Sequence, residues 1–522
     1  EFSPEVLHRF VNFMNNPDEE TADVQFGRGD KYVGVAVLMV TMPGLPMFGH
    51  GQIEGFREKY GMEYRRAYWD ETPDPHLIWR HETEIFPLMR RRHLFSGARH
   101  FALFDFVTDA GWVDENVFAY TNHYGGERAL IVYNNAYTRT RGVLHLSTAI
   151  NEGSVEQPRL RRIPLAEALT LNCADTCYYI FRDHRTGLEY LRHAQRLAET
   201  GLRLELTEYQ YYAFLDWREV HDFDGSWGRL HATLGEQGVP SVEDAYREMH
   251  LKSIIEPFRN LVNATLIRRI ADAKQPKEYR EEFRHAMRAF LEAAAQRLER
   301  PADPAPIIAA AEADLMRMGK ADNLLRKAGH YPEAIAYLKS GMPDGKPQAR
   351  FRRSLIAWAM VRGIGEIARP ASGDGFDVAA TSAAWLHEWH LLKQISRAFC
   401  EMDDDPWRAD MDARLVRLCV AHAHRLPLLH REPWGPVLDP LFRDPDARAF
   451  LQMNRFAGRL WINKEQFERL MHMLACCVAL QSLNDGPAAA DIVMGCIEDA
   501  QTLITAAEDA GYDLLRLLDS VK

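Results

Sequence analysis

The sequence is short of cysteine, of net positive charge and of long apolar runs, and each shortage removes a class of protein. Seven cysteines in 522 residues, an odd number, argue against a disulfide framework and fit a reducing compartment, so a cytoplasmic location is expected. Sixty-three Lys plus Arg against 74 Asp plus Glu leave a net charge of -11, which removes the chain-wide phosphate-binding surface that nucleic acid requires. Apolar runs such as Val33 to Phe48 are broken by Gly or Pro before reaching the ~18 residues of a membrane helix, so no membrane span is expected. No fixed period of repetition emerges, and nothing documents a solenoid. The chain opens Glu1-Phe2-Ser3-Pro4 with neither an initiator Met nor a signal peptide. Residues upstream, and any address they carry, are therefore expected to be missing from it.

What is present is globular material, at 47% hydrophobic and 26% charged residues, enough for about three or four domains by length. Three zones follow one another. Residues 1–97 mix strand-like and helix-like pieces. Val33 to Met42 is a nearly continuous apolar run ending at Pro43-Gly44, with Leu45 to Phe48 beyond, and suits either a buried parallel strand or a buried helix leading into one. His81 to Arg92 reads as a helix with Ile85, Leu88 and Met89 on one face, kinked or started late by Pro87.

Residues 98–222 change to short strands at Phe101 to Phe106, Val117 to Asn122, Ala129 to Asn134, Thr176 to Phe181 and Tyr211 to Asp216. β-branched and aromatic residues fill them and Gly-containing turns separate the first three. This rhythm predicts an antiparallel β-sandwich. Residues 228–522 read as helix almost throughout. Met287, Phe290, Leu291, Ala294 and Leu298 form one apolar stripe, and Phe467, Leu470, Met471, Leu474 and Val478 form another. Pro-rich interruptions at Arg300 to Pro306, Gly341 to Gln348 and Gly435 to Pro445 divide this all-α region into blocks.

The segment Phe13-Met14-Asn15-Asn16-Pro17-Asp18-Glu19 places amides and acids directly after a short apolar run. Such a pattern marks the end of a barrel strand where it meets its loop; Asn16 and Asp18 equally read as caps for a helix beginning near Glu19. Further on stands Pro43-Gly44-Leu45-Pro46-Met47-Phe48-Gly49-His50-Gly51-Gln52-Ile53-Glu54. Together the two segments resemble the end of the catalytic barrel in the α-amylase superfamily, glycoside hydrolase family 13. A Phe-x-x-Asn-His-Asp segment closes the seventh strand there, and a Pro-Gly-x-Pro-x-x-x-x-Gly-Gln-Glu segment forms the eighth. The likeness runs from about Ser3 to Gly61, and the strands that follow are similar to the family's C-terminal β-domain. In the helical zone, Leu460 to Glu468 resembles a stretch of large bacterial members.

The resemblance implies the last two β/α units of a (β/α)8 barrel over residues 1–97, a β-sandwich over 98–222 and a helical extension over 228–522. It implies an α-glucan or oligosaccharide substrate and retaining double displacement. Asn16 falls on the family's Asn, and Asp18 on the acid that contacts sugar hydroxyls and favours the distorted, oxocarbenium-like ring. The family's His falls on Pro17, which removes a donor to the substrate. Gln52 and Glu54 match the eighth-strand Gln-Glu with Ile53 inserted between them. Retaining hydrolysis needs a nucleophile and an acid/base about 5 Å apart. In family order both precede strand seven, so they are expected upstream of this chain, which alone is expected to be inactive.

Tyr64, Tyr68, Trp69 and Trp79 are candidates for stacking on pyranose rings, with Tyr64 and Trp69 foremost beside Asn16, Gln52 and Glu54 in substrate binding. Asp70, Glu71 and Asp74 read as solvated loop charges. The acidic turn Met402 to Pro406 lacks the alternating oxygens of a calcium loop. Cys173 and Cys177, with His184, have no second pair at zinc-finger spacing and read as buried thiols. His387 and His390, flanked by Trp385 and Trp389, read as helix surface and core, and Arg28-Gly29-Asp30 as chance. No metal and no cofactor are predicted. The alternative is a non-catalytic carbohydrate-related or protein-assembly module whose helical zone recruits a protein partner, favoured by Pro17, Ile53 and the length of that zone.

Overall fold

The computed structural model describes residues 4–60, 65–151, 157, 159–327, 346–370, 375–430, 434–483 and 488–520. They form two compact units, Glu1–Met249 and His250–Lys522. Among the described residues no helix is long and apolar enough to cross a membrane.

After a 3-10 helix over Pro4–Arg9, the first unit continues with strand β1 (Val11–Phe13), helices α1 (Ala22–Phe26) and α2 (Asp30–Thr41), and strand β2 (Leu45–Met47). β1 and β2 pair in parallel with Val11 opposite Leu45 and Phe13 opposite Met47. The apolar run from Val33 resolves as helix α2, because Val33, Ala36, Val37 and Val40 follow helical spacing and all are buried. Pro43 and Gly44 end it, and the chain enters β2 at once. Helix α3 (Pro75–Arg80) is capped by Asp74, whose carboxylate accepts from the His76 and Leu77 amides at 2.9 and 3.2 Å. One widened, π-helical turn over His81–Ile85 carries it into α4 (Phe86–Arg90), and α5 (Arg92–Phe95) follows. The wide turn lies just before Pro87, which supplies no amide hydrogen and whose ring would strike a carbonyl one regular turn back.

Next come β3 (Ala102–Thr108), β4 (Val117–Tyr124), β5 (Glu127–Asn134) and β6 (Thr140–Ser147), then the short pair β7 (Ile150–Asn151) and β8 (Leu160–Arg161) and helix α6 (Leu165–Ala168). β9 (Cys177–Asp183), β10 (Glu189–His193), α7 (Ala194–Thr200), β11 (Leu202–Leu206) and β12 (Tyr211–His221) complete the β region, and α8 (Ser226–Leu234) and α9 (Val242–His250) close the unit. Where the strand spacing predicts a two-sheet sandwich, the structure has one curled, eight-stranded antiparallel sheet of order β10-β9-β12-β5-β4-β3-β6-β11. The reason is strand β12. Tyr211 to Phe214 pair with β5 and Phe214 to His221 with β9, across an irregularity between Leu215 and Arg218. There Asp216 takes a left-handed φ of 55°. A strand that changes partner at a bulge keeps the ladder continuous while bending it.

Both faces of this sheet are buried, which is why β-branched and aromatic residues fill its central strands. Ala129, Ile131 and Tyr133 pack with Tyr32, Val37, Leu88 and Phe95 of the preceding helices. Leu130 and Val132 point the other way, into a core with Phe104, Phe106, Phe181, Phe214, Leu165 and Leu197. Successive residues of a strand serve opposite faces.

The second unit is built almost wholly of helices around one apolar core. Phe290, Leu291 and Ala294 of helix Arg280–Arg297 and Phe467, Leu470 and Met471 of helix Lys464–Ser482 are fully buried, as their stripes predict. Residues 435–445, read as an interruption, are instead mostly helix: Trp434–Arg443 contains Pro440, and Pro445 opens the next helix under an Asp444 cap. A proline in a first helical turn removes no intrahelical bond. Most of the interruption read at Gly341 to Gln348 lies outside the described residues.

The acidic turn at 402–405 is consumed by folding. Asp405 caps helix Pro406–His422, and Asp403 pairs with Arg350 and Arg353 at 2.7 and 2.8 Å. His387 lies 2.7 Å from Asp446, and Trp385 stacks on Trp389 with centroids 4.0 Å apart. Arg28-Gly29-Asp30 is also used internally, Arg28 pairing with Asp23 and Asp74 and Asp30 with Arg80.

Candidate functional site

Both loops singled out by the sequence leave the C-terminal ends of the β1–β2 pair. After β1, Asn16-Pro17-Asp18-Glu19 forms a β-turn, in which the Glu19 amide donates to the Asn16 carbonyl at 3.2 Å. The Asn16 side-chain oxygen reinforces it, accepting from the Asp18 and Glu19 amides at 2.9 and 3.0 Å. Pro17 suits the second position of such a turn because its φ is already fixed. Pro17 thus sits in a turn that Asn16 holds together.

Asp18 stands exposed on the turn. Its carboxylate makes no hydrogen bond or ion pair among the described residues, and helix α1 begins later, after Thr21. Asp18 therefore does not act as the helix cap that was the alternative reading. Its backbone carbonyl accepts from the Lys59 ammonium at 3.0 Å. The neighbouring Glu58, only 5% exposed, accepts from the amides of Tyr68 and Trp69 at 2.7 and 3.0 Å. Consecutive residues thus tie the Asp18 turn to the aromatic loop. On that loop Tyr68 and Trp69 present their rings to solvent, at 75% and 58% exposure. Tyr64 lies outside the described residues.

Gln52 is placed otherwise. It is buried, its side-chain oxygen accepts from the Gly49 amide at 3.0 Å, and its nitrogen faces the Met14 sulfur at 3.2 Å. Its amide braces the loop after β2 from within, and its carbonyl accepts the Tyr32 hydroxyl at 2.6 Å. Glu54 is half-buried, with its backbone carbonyl accepting from the Asp74 amide at 2.9 Å. Beside the loop, Phe48, Ile53, Phe86, Met89 and Arg90 line an open groove of about 570 Å³. The inserted Ile53 thus faces an apolar surface that includes none of the candidate carboxylates.

Sequence reasoning missed the residues that hold this end of the unit together. Asp23, almost fully buried, accepts from Arg28 at 3.0 Å and pairs with Arg57, while Arg28 also donates to the Gly55 carbonyl at 2.7 Å. Burial alone would raise the Asp23 pKa, but the hydrogen bonds and charges of the two guanidinium groups outweigh it and hold the carboxyl below its ordinary value. Behind them, His81 Nε2 lies 3.0 Å from the Tyr32 hydroxyl. Because that hydroxyl proton is committed to the Gln52 carbonyl, Nε2 carries the imidazole proton and donates to the tyrosine oxygen. Burial lowers the His81 pKa to about 4, so the ring is neutral at pH 7. An Asp followed by Arg-Gly-Asp carries no sequence signal for such a node, since its partners come from separate loops.

No family model and no curated protein matches the chain. Among solved structures, an α-amylase from Geobacillus thermoleovorans complexed with acarbose aligns with 40% of this chain and 39% of its own, at 15% identity and a TM-score of 0.26. A debranching enzyme from Nostoc punctiforme, soaked with acarbose, covers 39% of this chain and 33% of its own at 12% identity and a TM-score of 0.24. An α-amylase from Anoxybacillus covers 39% and 37%, at 15% identity and a TM-score of 0.24. The chain thus spans about two-fifths or less of the length of each neighbour.

Proposed function

We propose that this chain is the C-terminal portion of an α-glucan-acting enzyme of the α-amylase type. It contributes two β/α units, the curled sheet and a helical extension, and takes its nucleophile and acid/base from polypeptide upstream. One observation carries the reading. Val11, Phe13, Leu45 and Met47, on one face of the parallel pair, are 45%, 40%, 64% and 36% exposed. Strands of a parallel sheet are ordinarily buried on both faces, so this apolar face calls for further strands to cover it. The Asn16–Asp18 turn and the Gln52–Glu54 loop stand at the C-terminal ends of the same strands, where barrel enzymes keep their chemistry.

In this reading Asp18 is the carboxylate that hydrogen-bonds the sugar ring as it flattens, an interaction that strengthens in the transition state. Trp69 and Tyr68 supply stacking faces, and Asn16, its oxygen spent on the turn, offers Nδ2 to a sugar hydroxyl. Gln52 and Glu54 shape the loop rather than lead the contacts. The acarbose complexes of the neighbouring enzymes fit an oligosaccharide ligand, and a reducing, cytoplasmic setting fits seven free cysteines. The test expresses this chain alone and fused to the reading frame directly upstream of it, and measures reducing ends released from soluble starch. Turnover in the fusion but not in the isolated chain is expected; turnover by the isolated chain, or none by either, overturns the proposal.

A second reading, a non-catalytic carbohydrate-related or assembly module whose helical unit recruits a protein partner, draws on the inward placement of Gln52, which withdraws one of the expected sugar contacts. Maltooligosaccharide binding by the fusion without turnover would favour it.

A further inference from the structure

At the C-terminal end of β12, just beyond its bulge, three side chains of different chemistry converge. Glu219 and His221 are two residues apart on this strand and so share a face. His221 stands directly opposite Cys177 of β9, and Glu219 opposite Tyr179. Cys177 Sγ lies 3.5 Å from His221 Nδ1 and 3.7 Å from Glu219 Oε1, and His221 Nε2 lies 3.0 Å from the same carboxylate oxygen. All three groups offer a ligand atom within 4.8 Å of the others. We propose that Cys177, Glu219 and His221 form a binding site for a zinc-type divalent transition ion, independently of any action on sugars.

The chemistry of the donor set argues for the ion. A thiolate, an imidazole and a carboxylate are the three protein ligand types that zinc takes, and three protein ligands with one open position is a recognised arrangement for it. Here the open side exists: the His221 and Glu219 side chains are 42% and 31% exposed, whereas Cys177 is fully buried. The carboxylate is also held from behind. Tyr179 donates its hydroxyl to Glu219 Oε2 at 2.6 Å, leaving Oε1 to face the thiol, and the Asn172 amide donates to Oε1 at 3.0 Å. Orienting bonds of this kind support ligands in metal sites. A nucleophilic thiol is the competing use of the same residues. Burial first, and the Glu219 charge second, push the Cys177 thiol above its ordinary pKa, which opposes thiolate formation in the absence of a cation. A bound cation reverses that balance and displaces the thiol proton.

Such an ion would clasp the C-terminal end of β12 to the start of β9, ahead of α8. The test treats the purified 522-residue chain with a chelator, removes the chelator and titrates in Co²⁺, then Zn²⁺. Expected is a thiolate-to-cobalt charge-transfer band that saturates at one equivalent and is bleached by Zn²⁺. Cys177→Ser abolishes the band, His221→Ala and Glu219→Gln weaken binding, and Tyr179→Phe weakens it about tenfold to a hundredfold. Cys173→Ser, at an exposed thiol, leaves it unchanged. If Cys177→Ser fails to fold by circular dichroism, His221→Ala, altered at a part-exposed side chain, decides the matter. Absence of the band at one equivalent, its survival in His221→Ala with unchanged affinity, or its loss in Cys173→Ser overturns the site.

Discussion

Val11 and Leu45 stand opposite each other in the parallel pair, and both face solvent at 45% and 64% exposure. If polypeptide upstream covers this face, the same substitution has two different costs. Val11→Ser with Leu45→Ser in the isolated chain is expected to change unfolding free energy by no more than about 0.5 kcal/mol, as at other surface positions. In the fusion with the upstream frame it is expected to cost about 1.5–3 kcal/mol for each buried side chain. Urea unfolding of both forms, with hydrophobic-dye fluorescence falling in the isolated variant, checks it; equal costs in the two forms would remove the covering strands.

On the proposed function, Asp18 and Gln52 are expected to separate activity from stability. Asp18→Asn, at an exposed carboxylate, should leave the melting temperature unchanged and lower turnover by the fusion about 100-fold or more, the scale of removing one interaction made in the transition state. Gln52→Leu should do the opposite in rank. It leaves the Gly49 amide without its acceptor, costing about 1–3 kcal/mol. Melting curves set beside starch kinetics separate the two.

His81 gives the first unit a pH dependence of definite sign. Its folded pKa of about 4 lies below the ordinary 6.5, so the neutral ring favours the folded state above pH 6.5. That contribution is lost as pH falls from 6.5 towards about 4, and amounts to about 3 kcal/mol in all. Asp23, also depressed by its two arginines, adds a loss at lower pH still. Urea midpoints of the first unit between pH 7 and 5 should fall in the parent and flatten in His81→Asn; an unchanged slope would show that the ring does not titrate in this window.

Gly49 is fixed by its neighbour. A Cβ there would lie 2.4 Å from the Asn15 side-chain nitrogen, and Asn15 is buried with little room to move. Gly49→Ala is expected to cost about 1–3 kcal/mol, as overpacking does. The double variant with Asn15→Ala should recover part of that loss in a thermal-melt cycle, whereas strict additivity would place the strain elsewhere.

Much of the first unit was legible because its elements announce themselves locally. The Pro43-Gly44 stop and strands such as Val117–Tyr124 follow from periodicity and turn residues acting over a few positions, whereas the Val33 run was legible as a buried segment but not as helix instead of strand. The helical stripes at Met287 and Phe467 were read for the same reason. Strands Thr140–Ser147, Glu189–His193 and Leu202–Leu206 were not: Arg, His and Glu interrupt their apolar pattern, and only pairing with β3, β9 and β6 makes them strands. Of the candidate residues, the loops bearing Asn16, Asp18, Gln52 and Glu54 were found by pattern, but a motif does not reveal which side chains turn inward.

The sequence by itself determined the helical character of the second unit and the two polar loops after short apolar segments, because these depend on neighbours along the chain. Tertiary structure alone decided that β12 joins the strands into one sheet and that Gln52 faces the interior while Asp18 faces water. It alone brought Cys177 within reach of His221. Each of those outcomes depends on which distant segment arrives to supply a hydrogen bond or exclude solvent, and no local preference encodes that partner.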